Sequence, residues 1–167
     1  LTIDAWIKPD DKNGIIVSKW DWQNNRASYM LAYNYSWDGR IWFFISEHGD
    51  GIGTRLVSNT VMAPGSSLWH RITAVYQPST YMKIYIDGVE DASLTTGVPS
   101  AIRSGATRVF VGASELWGSC STHYGGGIDE LRIMNVATAP SAIQTLAVPA
   151  TAGWAPSAEL TAGLPIT

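Results

Sequence analysis

The stretch WHRITAVYQPSTYMKIYIDGVE, residues 69–90, decides the fold class. On an extended chain His70, Ile72, Ala74 and Tyr76 share one face, and Arg71, Thr73, Val75 and Gln77 share the other. Pro78-Ser79-Thr80 interrupts the run, and Met82, Ile84 and Ile86 then alternate with Tyr81, Lys83 and Tyr85. Alternation with period two places one face of each strand on a core. Asp87-Gly88 between alternating apolar residues is a strong hairpin signal. The spacing predicts adjacent antiparallel strands over 69–77 and 81–86, followed by a short strand over 89–95. Ile72, Ala74, Ile84 and Ile86 are expected to be buried.

Outward from this pair, residues 1–8 read as a strand with Leu1, Ile3, Ala5 and Ile7 on one face and Thr2, Asp4 and Trp6 on the other. Pro9 ends it, since proline cannot donate to a ladder. Further strands are expected over 15–20, 28–35, 40–46 and, more weakly, 54–60. They are separated by the polar loop DWQNNR (21–26), a turn at Trp37-Asp38-Gly39 and the glycine-rich loop HGDGIG (48–53). A short buried strand over 107–113, a long loop over 114–126 and a strong strand over 127–134 follow. One or two helical turns fit 138–146, with Thr138 as the cap and Pro140 in the first turn. Residues 148–167 read as a terminal strand or tail lying along the domain. Short strands with turns every roughly eight to twelve residues imply an all-β, two-sheet sandwich.

The 167 residues suit a single domain, 1–167, with a sizeable core. Charged residues are 15% of the chain, the net charge is −3 and no basic cluster exists, which excludes nucleic acid as a partner. No apolar run approaches the ~20 residues of a membrane span. Cys120 is alone, so no intrachain disulfide forms. The chain opens inside an apparent strand and therefore reads as a domain excised from a longer protein.

Four segments, in order, carry a resemblance: LTIDAWIKP at the start, GIIVSKW, WHRITAV with MKIYIDG, and YGGGIDELRIMNVATAPSAIQTL. Together they span residues 1–146. This pattern resembles the laminin G-like domains of the concanavalin A-like lectin/glucanase superfamily. The resemblance implies a jelly-roll β-sandwich of two antiparallel sheets, one of them concave. It implies a non-catalytic module of a secreted or cell-surface protein, for glycans, proteins or adhesion, often with a structural calcium. In many members the closing strand supplies a calcium carboxylate, and Asp129 stands at that place.

The catalytic patterns are missing. Retaining glucanases of this fold carry a motif resembling E-x-D-x-x-E, and no such run occurs. Asp129 and Glu130 are adjacent, so a strand points them to opposite faces. His48, His70 and His123 lack metal-ligand spacing, and no Gly-rich phosphate loop or nucleophile elbow is present. Calcium needs several oxygens. The candidates are Asp129 and Asp50, the latter flanked by glycines. The alternative role for Asp129 is an ion pair with Arg132 or a hydrogen bond to a backbone N–H.

Aromatic residues point to sugars, because Trp and Tyr rings stack on the flat C–H faces of pyranoses while polar neighbours bind hydroxyls. Three loops combine the two types: residues 20–26, residues 35–38, and 115–117 with 123–124. Trp22, Asn24, Arg26, Trp37, Trp117 and His123 are the candidate ligand-binding residues. The competing role for each loop tryptophan is anchoring its own loop. If they do not bind, the concave sheet near Trp6 and Trp42 is the next place. The sequence is thus read as a lectin-like module for a glycan or polysaccharide. An adhesion or protein-interaction domain is the alternative, and a glycoside hydrolase or polysaccharide lyase of the same fold a remoter one.

Overall fold

The computed structural model describes residues 1–10, 12–116 and 119–146, so Trp117 and the expected tail over 148–167 lie outside the described residues. In chain order the strands are β1 (Thr2–Pro9), β2 (Gly14–Lys19), β3 (Tyr29–Tyr33), β4 (Ile41–Ile45), β5 (Thr54–Val57), β6 (His70–Gln77), β7 (Tyr81–Ile86), β8 (Val89–Leu94), β9 (Phe110–Val111), β10 (Ser114–Leu116), β11 (Ser119–Ser121) and β12 (Gly126–Met134). A helix, α1 (Pro140–Leu146), follows. Two five-stranded antiparallel sheets, ordered β12-β1-β6-β7-β8 and β5-β4-β3-β2-β9, face each other, consistent with a jelly-roll sandwich.

β6 and β7 pair from Ile72 opposite Ile86 to Gln77 opposite Tyr81, as the alternation requires. Asp87 and Gly88 both take positive φ, 51° and 82°, the geometry that lets a two-residue turn follow the strand twist. The inward set of the first sheet, including Ile3, Ile7, Ile72, Ala74, Tyr76, Met82 and Ile84, meets Leu31, Tyr33, Ile41, Phe43 and Ile45 of the second. Ile86, expected to be buried, is half-buried, because it ends its strand beside the turn.

The outer face of the first sheet is partly covered. Ile143 of α1 packs on Val75 and Tyr85. Beside this contact Arg71 and Asp4 form a buried pair, with Nε–Oδ1 at 2.9 Å and Nη2–Oδ2 at 2.5 Å. Thr73 Oγ1 donates to the same Oδ1 at 2.7 Å. Paired donors and acceptors of this kind satisfy charges that burial would otherwise penalise.

Four expectations are corrected. The strand over 107–113 shrinks to Phe110–Val111, which pairs only with Ser18 and Val17, and Gly112 at φ 71° ends it. It is an edge rather than a buried strand, with Val111 57% exposed. The loop over 114–126 contains a hairpin, Ser114 opposite Ser121. Thr138 does not cap α1: its N–H donates to Thr2 Oγ1 (2.9 Å), which in turn donates to Val136 O (2.7 Å). Ala139 O accepts the first helical amides, from Ala142 and Ile143. Finally, β1 includes Pro9. Pairing with β6 stops at Ile7, and Pro9 sits opposite Gly126 on β12 alone.

Candidate functional site

Strands β3 and β4 are apolar on both faces. Leu31, Tyr33, Ile41 and Phe43 point to the core, while Met30, Ala32, Trp42 and Phe44 point outward. β2 joins them through a bulge: Ile15 pairs with Ala32 and Val17 with Leu31, so Ile16 is the extra residue. The bulge lets Ile16 and Val17 both enter the core while Ile15 stays on the outer face. An outward face this apolar needs a cover or a ligand.

The outer face forms the floor of a groove of about 430 Å3, made by Ile15, Met30 and Phe44. Aromatic rings crowd around Phe44. Trp20 meets it edge-on at 5.8 Å, Tyr35 edge-on at 5.3 Å, and Trp42 stacks at 5.9 Å with planes 16° apart. The Arg55 guanidinium lies 5.7 Å over the Trp42 ring. Three chain segments wall the groove: Trp22, residues 50–52, and the β10–β11 hairpin with Ser114, Glu115 and Thr122. Trp22 and Tyr35 are 47% and 44% exposed, and Ile52 is 85% exposed at the rim.

The loop 21–26 is shaped to present Trp22. Asp21 is buried, and its carboxylate accepts from Asn24 Nδ2 (3.0 Å to each oxygen) and pairs with Arg26 Nη2 at 2.8 Å. Asp21 O accepts from the Asn24 and Arg26 amides, and Asn25 turns the chain at φ 54°. These bonds fix a short 3-10 turn over Trp22–Asn24. The glycine-rich loop docks on it. A Cβ on Gly51, which sits at φ 79°, would lie 2.6 Å from Trp22 Cβ. Only a residue without a side chain allows that approach.

The two charged groups lining the groove, Asp50 and Glu115, are both carboxylates, and no Lys, Arg or His is among the described lining residues. Glu115 is paired with Arg108 Nη2 at 3.3 Å, and Asp50 Oδ1 accepts from the Ile52 N–H at 3.1 Å.

Of the residues expected to bind ligand, Trp22 is in the groove wall. Asn24 and Arg26 are held on Asp21 and serve the turn. Trp37 is 70% exposed at φ 60° in the β3–β4 turn and is not part of the wall. His123 is exposed; its backbone bridges to Ile15, beside Thr122. Trp6 and Trp42 do not share a sheet: Trp6 is on β1 and Trp42 on β4.

Asp129 and Asp50 do not come together. Asp129 is on β12, at the edge of the first sheet, and Asp50 is in the loop joining β4 to β5 of the second. Asp129 Oδ1 accepts from the Glu130 N–H at 2.7 Å, while Arg132 pairs with Glu130 instead. Among the described residues no group of three His, Cys, Asp or Glu side chains gathers as a metal site. Asp129 and Asp50 therefore stand as separate calcium candidates, each with the carbonyls of its own strand edge or loop, and not as ligands of one ion.

The groove floor was not among the candidates. Its signal was present in β3 and β4, whose alternation has apolar residues in both phases; a strand with water on one side alternates apolar with polar.

Comparison with known proteins follows the geometry. A laminin G-like family model, described as the concanavalin A-like lectin/glucanases superfamily, matches residues 1–144. The native heptameric SAP-like pentraxin from Limulus polyphemus superposes with a TM-score of 0.68 at 16% identity, covering 88% of this chain and 69% of that one. The CBM40 of the Ruminococcus gnavus IT-sialidase, bound to α2,3-sialyllactose, gives a TM-score of 0.69 at 14% identity over 88% and 82% of the two chains. Domain 4 of AbnA, a GH43 extracellular arabinanase from Geobacillus stearothermophilus in complex with arabinotriose, gives 0.58 at 22% identity over 88% and 66%. No curated protein sequence matches the chain. No helix among the described residues is long and apolar enough to cross a membrane.

Proposed function

The chain belongs to the concanavalin A-like lectin/glucanase superfamily, and from that premise we propose that it is a non-catalytic carbohydrate-binding module acting outside the cell. Its binding site is the groove on the outer face of the second sheet. The observation that carries this reading is the groove itself. Phe44 and its ring neighbours make an apolar floor, the half-exposed rings of Trp22 and Tyr35 stand at its side, and Asp50, Ser114, Glu115 and Thr122 supply polar groups around it. A pyranose needs an apolar plate for its C–H face and acceptors or donors for its hydroxyls. Ligand sites commonly combine apolar walls with a few placed polar groups. Structural neighbours that carry carbohydrate-binding descriptions support the same reading.

The test is titration of a polysaccharide selected on a glycan array. Trp22→Ala is expected to weaken binding about thirtyfold, the ~2 kcal/mol of an aromatic anchor. Trp37→Ala, away from the groove, is expected to bind as wild type. Unchanged binding in Trp22→Ala and Tyr35→Ala together sinks the proposal.

One observation favours a second reading, glycoside hydrolysis: Asp50 and Glu115 both border the groove. The proton donor of a glycosidase stands in apolar surroundings. Here Glu115 is engaged with Arg108 and Asp50 is exposed, so binding without cleavage is the stronger reading. Release of reducing ends from the selected polysaccharide, lost in Asp50→Asn, would reverse that order.

A further inference from the structure

We propose that the groove selects amine-bearing and neutral sugars and rejects sugars that carry a carboxylate; this rests on the reading of the groove as a glycan site. The inference comes from its charge. The charged side chains that line it are Asp50 and Glu115, and no described lining residue is a cation. Glu115 is already neutralised by Arg108 at 3.3 Å. Asp50 has no ion-pair partner among the described residues and uses Oδ1 on a backbone N–H, which leaves the carboxylate charge at the rim uncompensated. Arg55 stands directly opposite Phe44 in the β4–β5 register, with its guanidinium turned over the Trp42 ring.

A uronate or sialate seated on Phe44 and Trp22 would bring its own carboxylate beside Asp50. Like charges at the groove rim repel, and the two guanidiniums nearby are engaged, Arg108 with Glu115 and Arg55 over the Trp42 ring. An ammonium at the same place makes a charge-assisted hydrogen bond to Asp50 instead. The aromatic floor is indifferent to this choice, because pyranose rings of all three kinds present C–H faces. Discrimination therefore falls to Asp50.

The experiment compares three soluble probes of matched length on the whole chain: a glucosamine oligomer, a neutral hexose oligomer and a galacturonate oligomer. Wild type is expected to bind the glucosamine oligomer about tenfold more tightly than the neutral one, equivalent to ~1.4 kcal/mol, and the galacturonate oligomer not measurably. Asp50→Asn is expected to bring the glucosamine and neutral affinities together. Asp129→Asn makes the same change in net charge on the other sheet and is expected to keep the preference, which separates a local contact from attraction to the whole acidic protein. Loss of the preference in Asp129→Asn and Asp50→Asn alike overturns the assignment to Asp50. Galacturonate binding that Trp22→Ala abolishes overturns the charge inference but leaves the glycan groove standing. Binding of every probe unaffected by Trp22→Ala, or of none, overturns both.

Discussion

Arg26 Nη2 lies 2.8 Å from Asp21 Oδ2, and this pair, with Asn24, holds the turn that presents the Trp22 ring. The two partners are unequal, for Asp21 is buried while Arg26 is 45% exposed. Removing the carboxylate strands several donors at once. Asp21→Ala is expected to cost about 1–3 kcal/mol and to loosen Trp22, read as a red shift of its emission and weaker glycan binding. Arg26→Ala is expected to cost less than Asp21→Ala, because the Asn24 amide still serves the buried carboxylate when the half-exposed guanidinium is gone. Equal losses in the two variants would contradict this ordering.

Gly51 makes an independent handle on the same ring. Gly51→Ala puts a side chain at φ 79° and within 2.6 Å of Trp22 Cβ. Left-handed backbone at a non-glycine residue costs about 1–3 kcal/mol, and the clash displaces either the loop or the ring. The expected outcome is a lower melting midpoint together with weaker binding. Wild-type affinity in Gly51→Ala would show that the position of Trp22 is irrelevant to the ligand.

Ile84 probes the core, where it is fully buried among residues of both sheets. Ile84→Ala is expected to lower stability by about 2–5 kcal/mol in denaturant titration. A loss under about 1 kcal/mol would place it outside a tightly packed interior.

Alkaline pH is expected to unfold the domain. Burial, then the Glu47 charge, pushes the Tyr76 hydroxyl from its ordinary 10.0 up to about 12, while it donates to Pro99 O at 2.8 Å. Burial also raises Tyr124, and then the nearby Tyr33 and Asp10 raise it further. A group whose folded value is raised holds its full contribution below the unfolded value, and loses it as pH climbs through the folded one. The melting midpoint should therefore change little up to about pH 10 on account of these groups and fall from there to 12. Tyr76→Phe should be less stable at neutral pH but show a shallower fall. An unaltered slope in that variant would remove Tyr76 from the explanation.

The sandwich was legible in the sequence because its strands write their faces directly. The phase of Ile72, Ala74, Ile84 and Met82 could be read residue by residue, and Asp87-Gly88 named the turn. The groove was legible only in pieces. Trp22 stood out as an aromatic in a polar loop, but nothing local to DWQNNR distinguishes the ring that faces ligand from the Asn24 and Arg26 side chains that fold back on Asp21. Phe44 and Met30 carry no such mark, because apolar residues in both phases of a strand do not say which face is covered by protein. The meeting of Trp22 with Asp50 and Glu115 depends on loops 28 or more residues apart in sequence. Such proximity is a property of the closed sheets and leaves no trace in spacing.

Ile143 lies on Val75 and Tyr85, so helix α1 occupies part of the first sheet's outer face. The two sides of the sandwich are therefore unlike, and the proposed recognition is one-sided: each copy grips a polymer at a single place. A tight hold on a long polysaccharide then depends on valency. Copies joined by linkers that match the spacing of sugar repeats would multiply a weak single-site affinity by effective concentration, with no new contact in any one groove.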